Sequence, residues 1–163
     1  MKISTLFLGA IIFIGGILSA PYLRNTVMVT ERTLAIIKPD VMKAHRAFEM
    51  IQAITEHGFK VVRCEKMHLT ADQAEEFYAE HKGRPVLPEL VEFMTSGPVV
   101  VMVLEKENAI LGWRDLMGAT DPAQANPGTI RKVFGTNKGS NASHGSDSAT
   151  SATREIAFFF GNK

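Results

Sequence analysis

The stretch Thr33-Leu-Ala-Ile-Ile-Lys-Pro-Asp40 decides the fold of this chain. Its apolar run reads as a short strand, and Pro39 stops it, because proline has no N–H for a ladder and biases the residue before it to an extended backbone. Lys38 is therefore expected at the end of a strand. A second run, Val99-Val-Val-Met-Val-Leu104, follows Gly97-Pro98 and is apolar without alternation, the pattern of a central strand covered on both faces. Between the two, Phe48, Ile51 and Ile54 recur at helical spacing beside Met50, and that segment ends at His57-Gly58, glycine being common just past a helix. Phe59 to Leu69 reads as a strand. Thr70-Ala-Asp-Gln73 has the spacing of a capping box and opens a helix to about Glu80.

Gly83 to Glu89 reads as a loop into a short helix from Glu89 to Met94. Beyond the valine-rich strand, Asn108 to Met117 is helical and stops at Gly118, and Ala119 to Ser140 reads as a long loop of the kind that is functional or mobile. Ser148 to Phe159 forms a last helix with Ala, Ile and Phe on one face. The order β-α-β-α-(short α)-β-α-loop-β-α predicts an α+β fold of ferredoxin-like (split β-α-β) type, an antiparallel sheet with helices packed on one face.

The 163 residues are 45% hydrophobic and 21% charged, with a net charge of +1, which gives material for one core and no bulk cationic surface. Any strong anion site must come from a few converging cations. Cys64 is the only cysteine, which excludes an intrachain disulfide and a cysteine-rich zinc site, and its apolar strand predicts a buried, inert thiol. Residues 1–27 differ from the rest. Lys2 precedes the uncharged run Ile3 to Ala20, which as a helix at about 1.5 Å per residue approaches a bilayer core of about 30 Å. Three readings stand side by side: a membrane anchor, a secretory signal ending at Leu18-Ser19-Ala20 just before Pro21, and a stretch upstream of a start at Met28. The domain itself is expected over residues 28–163.

Chemistry concentrates in Asn141-Ala-Ser-His144-Gly-Ser-Asp-Ser148, which sets a histidine in a polar turn before the last helix. A histidine of ordinary pKa near 6.5 is roughly three-quarters unprotonated at pH 7, so it attacks a phosphoryl group without a separate base, and a phosphohistidine divides one transfer into two. Gly145 permits close approach of backbone to a ligand, while Ser146, Asp147 and Ser148 are capping types whose amides favour negative charge. Four cations are placed to meet a triphosphate of roughly four negative charges: Lys38 at the strand end, Arg84 in a loop, Arg114 on a helix and Arg131 in the long loop. No Gly-x-x-x-x-Gly-Lys-Ser/Thr loop occurs, so side chains must hold the phosphates. With no tight carboxylate cluster, a Mg²⁺ ion would ride on the phosphates with mostly water ligands and no dedicated protein ligand. His45, His57, His68 and His81 lack paired metal-ligand spacing and read as surface or capping residues; Trp113 reads as packing.

These residues resemble the nucleoside diphosphate kinase family of bacterial type. The match runs from Glu31 to Phe160 through Glu31-Arg-Thr with Ile36-Ile-Lys-Pro-Asp40, Ser96-Gly-Pro98 before the valine-rich strand, Pro127-Gly-Thr-Ile-Arg131, and Asn141-x-x-His-Gly-Ser-Asp-Ser148. The resemblance implies transfer of the terminal phosphate of a nucleoside triphosphate, usually ATP, to a nucleoside diphosphate, in a ping-pong mechanism through phosphorylated His144 with Mg²⁺. By position, Lys38, Arg114, Thr120, Arg131 and Asn141 match the family's nucleotide contacts, and Tyr78, Arg84, Ser146 and Glu155 match residues around the histidine. The segment from Gly118 to Ser140 matches a loop beside the active site and subunit contacts.

Three departures stand out. Val86 occupies the place of an aromatic that stacks on the base, which implies weaker nucleotide affinity with intact chemistry. Phe48 stands where the family has a small glycine, which alters the start of that helix, and the apolar N-terminus is foreign to the family. The resemblance also implies a homo-oligomer, and the ending soon after the last helix is like that of tetrameric rather than hexameric members. A cytoplasmic location follows the nucleotides; membrane contact is expected only through Ile3 to Ala20, if residues 1–27 are retained. Two other classes compete. A catalytically weakened nucleotide-binding regulatory module has Val86 in its favour. An RNA-binding module on the same architecture would need aromatics on its sheet, and Thr33 to Lys38 and Val99 to Leu104 contain none, so no specific nucleic acid is expected.

Overall fold

The computed structural model describes residues 30–161. In chain order it comprises β1 (Thr30–Ile37), α1 (Pro39–Lys43), α2 (Ala47–Glu56), β2 (Lys60–Met67), α3 (Ala71–Phe77), a 3-10 turn (Ala79–His81), α4 (Val86–Thr95), β3 (Val99–Glu107), α5 (Ala109–Met117), α6 (Ile130–Phe134), β4 (Ser143–Gly145) and α7 (Ala149–Phe160). The sheet order is β2-β3-β1-β4, and every neighbouring pair is antiparallel. Because β3 is antiparallel to both β1 and β2, those two run parallel with β3 inserted between them. That is the split β-α-β arrangement the element order predicts.

Successive side chains of a strand point to opposite faces of its sheet, and here both faces are apolar. Leu34 and Ile36 of β1 join Val99, Val101 and Val103 of β3 in one core, closed by α3, α4 and α7 through Phe77, Met94 and Phe160. Ala35 and Ile37 join Val100, Met102 and Leu104 in the other, closed by α2 and α5 through Met50, Ile54 and Trp113. Helices therefore cover two faces, not one. The unbroken apolar character of β3 carries that information, since a strand exposed on one face would alternate.

Several local expectations are corrected by packing. On α2 the buried residues are Met50 and Ile54, whereas Phe48 is 80% exposed. Cys64 is exposed, because β2 is an edge strand whose outer positions no helix covers; partial burial and Glu65 nevertheless push its thiol pKa up. The helix opened by Thr70 does carry both bonds of a capping box, Gln73 N–H to Thr70 Oγ1 at 3.2 Å and Thr70 N–H to Gln73 Oε1 at 3.0 Å, but it ends at Phe77. The next helix starts at Val86, and the expected long loop contains α6. The N-terminal extension lies outside the described residues; among those described, no helix is long and apolar enough to cross a membrane.

Gly145 serves packing rather than ligand approach. A Cβ built there would lie 2.4 Å from the Trp113 ring and 2.7 Å from Met117. Trp113 is fully buried and cannot yield, so the missing side chain is what lets α5 close on β4. Gly145→Ala is expected to destabilise the fold by about 1–3 kcal/mol, the usual cost of overpacking a filled core. A lower midpoint in thermal unfolding checks this, and an unchanged midpoint would contradict it.

Candidate active site

His144 sits in β4 rather than in a turn, paired with Ile36 of β1. Its carbonyl accepts a hydrogen bond from Trp113 Nε1 at 3.2 Å. On the ring, Nε2 lies 2.9 Å from Glu155 Oε2. An ionised carboxylate only accepts, so Nε2 carries the hydrogen and Nδ1 keeps its lone pair. Glu155 is itself fixed: it is 3% exposed, Ser146 Oγ donates to Oε2 at 2.9 Å, and an Arg154 nitrogen lies 3.5 Å from Oε1. Ser146 completes the chain by accepting from the N–H of Leu34 at 3.2 Å. Ser146 thus buttresses the carboxylate, while Ser148 caps α7 through a reciprocal pair with Ser151. Phe77 and Tyr78 meet the imidazole edge to face at centroid distances of 5.0 and 5.9 Å.

The histidine lines a cleft of about 490 Å³, within the range that holds a small-molecule ligand. Lys38, Asn141, Ser143 and Arg131 form part of its wall, with Tyr78 and His81 among the other lining residues. Lys38 is only 6% exposed, and its Nζ donates to Asn141 Oδ1 at 2.7 Å. Burial, and secondarily the Arg131 guanidinium, lower its pKa to about 8 against the opposing pull of Asp40. Arg131 projects from α6 and donates to the carbonyls of Gly118 at 2.9 Å and Ser143 at 3.3 Å. Burial and Arg114 depress its pKa as well. Tyr78 moves the other way, since burial together with the Glu155 and Glu80 carboxylates holds its phenol far above the usual range and keeps it a donor.

Among the described residues, five buried side-chain polar atoms have no partner: Tyr78 OH, His81 Nδ1, Arg131 Nε, Ser143 Oγ and Asp40 Oδ1. The first four belong to residues that line this cleft. Buried polar groups are ordinarily paired, so their concentration marks a place built for a polar ligand.

Most of the residues picked out by sequence come together here. Lys38, Tyr78, Val86, Thr120, Arg131, Asn141 and His144 line the cleft, with Ser146 and Glu155 behind the histidine. Arg84 and Arg114 are exposed and do not line it, although Arg114 is near enough to Arg131 and Asp147 to shift both. His81, expected on the surface, is instead in the cleft wall with its ring stacked on Tyr78 at 6.2 Å. Three positions after Tyr78 in a tight helical turn, it falls on the same side, which was the available signal. Lys138 also lines the cleft and had no motif to announce it. The other histidines read as expected: His57 caps α2 and His68 bonds the carbonyl of Thr95 at 2.8 Å.

As for metal, no group of three or more His, Cys, Asp or Glu stands together among the described residues, and Glu89 is the one carboxylate among the lining residues. The donor set suits the anionic oxygens of a ligand better than a bare cation.

The nucleoside diphosphate kinase family model matches residues 31–163. A nucleoside diphosphate kinase of Sorangium cellulosum is 51% identical over 133 residues, covering 82% of this chain and 92% of that protein. The crystal structure of the Aquifex aeolicus nucleoside diphosphate kinase aligns with a TM-score of 0.80 at 44% identity, over 82% of this chain and 97% of that one. The structure of a halophilic nucleoside diphosphate kinase from Halobacterium salinarum in complex with CDP aligns with a TM-score of 0.79 at 40% identity, over 82% of this chain and 90% of that one. With its split β-α-β sheet and a histidine held against a buried glutamate at the edge of a cationic cleft, this chain belongs to the nucleoside diphosphate kinase family.

Proposed function

We propose that this protein transfers the terminal phosphate of a nucleoside triphosphate, usually ATP, to a nucleoside diphosphate through a phosphohistidine on His144. The observation that carries this is the Nε2 bond to Glu155 at 2.9 Å, which leaves Nδ1 as the basic nitrogen of a residue lining a cleft with Lys38 and Arg131. Nδ1 attacks the terminal phosphorus, the bond to the bridging oxygen breaks, and the diphosphate leaves with that electron pair. In the second half a terminal oxygen of an acceptor diphosphate attacks the phosphorus, and the N–P electrons return to Nδ1. Glu155 steadies the positive charge that the ring acquires while phosphorylated. Lys38, Arg131 and the Tyr78 hydroxyl hold the phosphate oxygens, with Asn141 and Thr120 at the same wall and Arg114 and Arg84 adding charge from the rim.

Mg²⁺ riding on the nucleotide would neutralise phosphate charge, with phosphate oxygens and water as its ligands. A homo-oligomer, tetrameric rather than hexameric, and a cytoplasmic location where nucleoside triphosphates are found accompany this reading. Incubation with ATP and Mg²⁺ is expected to leave an alkali-stable, acid-labile phosphoryl group on the wild-type protein and none on His144→Ala. Label persisting in the variant, or absent from the wild type, would overturn the assignment.

Val86 is the first residue of α4, 48% exposed, and lines the cleft beside Leu90 and Phe93. An aliphatic side chain there offers less stacking surface than an aromatic, a difference of about 1–3 kcal/mol in other base-binding sites. Val86→Phe is therefore expected to lower the nucleotide KM by about fivefold or more with kcat little changed; steady-state kinetics decide it, and an unimproved KM contradicts the assignment of this wall to the base.

Lys38 also predicts a pH dependence. In the free protein it gives up its proton near pH 8, while a phosphate favours its charged form, so binding takes up a proton once the pH exceeds that value. Nucleotide affinity is expected to be flat below it and to fall above it by up to about tenfold per pH unit. Lys38→Arg, charged throughout, should flatten the profile. An affinity that holds constant through about pH 9 would refute this.

A further inference from the structure

Just ahead of β4 the backbone makes a turn of uncommon geometry. Ser143 N–H donates to the Asn141 carbonyl at 2.8 Å, which closes a three-residue turn centred on Ala142, and Ala142 has φ of 68°. A γ-turn with positive φ is rare and strained for an L-residue. This one is fully buried. It is gripped on both sides by Lys38-Pro-Asp40: the Ala142 carbonyl accepts from the Lys38 N–H at 3.0 Å, and the Ala142 N–H donates to Asp40 Oδ2 at 2.9 Å.

What the turn sets is the direction of the site residues on either side. Asn141, before it, folds back to receive Lys38 Nζ at 2.7 Å and to donate to the carbonyls of Thr120 at 3.2 Å and Lys138 at 3.0 Å. Ser143 and His144, after it, enter the ladder along β1. Without the turn the chain cannot both present Asn141 to the lysine and place His144 opposite Ile36. Asp40 itself does not line the cleft.

We propose that Asp40 is a positioning residue of the phosphoryl-transfer site: its carboxylate holds the strained turn at Ala142 and so fixes Asn141 against Lys38 and His144 against the cleft. This rests on the phosphohistidine reading above. A glycine at position 142 adopts positive φ without strain and so depends less on the carboxylate. That dependence separates a role in the turn from one in general stability.

The test compares Asp40→Ala, Asp40→Asn, Ala142→Gly and the double variant Asp40→Ala/Ala142→Gly in the full chain, each checked for folding by circular dichroism and thermal melting. Two quantities are read: the single-turnover rate of His144 phosphorylation by ATP with Mg²⁺, and the emission of Trp113, the only tryptophan, which bonds the His144 carbonyl. Asp40→Ala is expected to slow phosphorylation by about tenfold or more, as small misplacements of reacting groups do, and to shift Trp113 emission. Asp40→Asn keeps an acceptor oxygen and most of the rate. Adding Ala142→Gly to Asp40→Ala should restore the rate by about threefold or more. If Asp40→Ala does not fold, Asp40→Ser takes its place in the same comparison.

A folded Asp40→Ala protein that reacts at the wild-type rate overturns the proposal, and so does a double variant no faster than Asp40→Ala. Asp40→Asn as slow as Asp40→Ala overturns it too, because the charge on Lys38 and not the turn would then be what Asp40 supplies. A wild-type protein that takes no phosphate sinks the phosphohistidine reading instead, and Trp113 emission then still reports whether Asp40 holds the turn.

Discussion

Because Ser143 to Gly145 pairs with Ala35 to Ile37, His144 shares the rigidity of a strand buried on both faces. A three-residue strand has little stability of its own. Here it is fastened from three directions: the β1 ladder, Trp113 on the His144 carbonyl, and Ser146, whose hydroxyl and N–H both engage Leu34. The close approach of α5 that Gly145 permits is part of the same arrangement, since a side chain there would drive Trp113 away from the carbonyl it bonds. A nucleophile that must approach phosphorus along one line gains more from this fixed backbone than from a mobile loop, because orientation settled in folding is not lost again at the transition state.

The cleft is electrostatically unfavourable without an anion. Burial, and after it Arg131, disfavours the charge on Lys38; burial and Arg114 do the same to Arg131; and unpaired atoms of Tyr78, Arg131 and Ser143 stand in the wall. Phosphate oxygens bound there, as proposed, would relieve each of these costs, supplying acceptors and negative charge at one stroke. Glu155 stands on the far side of the ring, where it cannot compete for the phosphates yet is bonded to the nitrogen opposite the nucleophile. The two charge populations are separated by the imidazole itself.

How much of this was legible in the sequence depends on whether a residue's role is local. Pro39 stopping β1, the Thr70 to Gln73 box and the central strand at Val99 are short-range signals, and they read correctly because propensity, capping and pattern agree. His144 and Lys38 were visible through their neighbours in the chain. Cys64 and Phe48 were misread because apolar pattern cannot tell an edge strand or an uncovered helix face from a covered one. The purpose of Gly145 was misread for a similar reason, as the ring it accommodates is 32 positions away (145 − 113). Asp40 carries no local signal of its role, since the amide it bonds, that of Ala142, is 102 positions away in the chain.

Binding and chemistry are built from different parts of this fold. His144 comes from β4, Glu155 from α7 and Ser146 from the link between them, and the group is anchored on β1, whereas Val86 and Leu90, which line the apolar part of the cleft, come from α4, whose first turn has no side-chain cap. Phe93 on α4 faces Lys38, whose Nζ lies 6.0 Å from its ring centroid. An exchange at the exposed start of α4 therefore changes the surface offered to a ligand and leaves the imidazole–carboxylate pair undisturbed, because no hydrogen bond of that pair passes through α4. A valine at position 86 is compatible with an undisturbed imidazole–carboxylate pair for that structural reason.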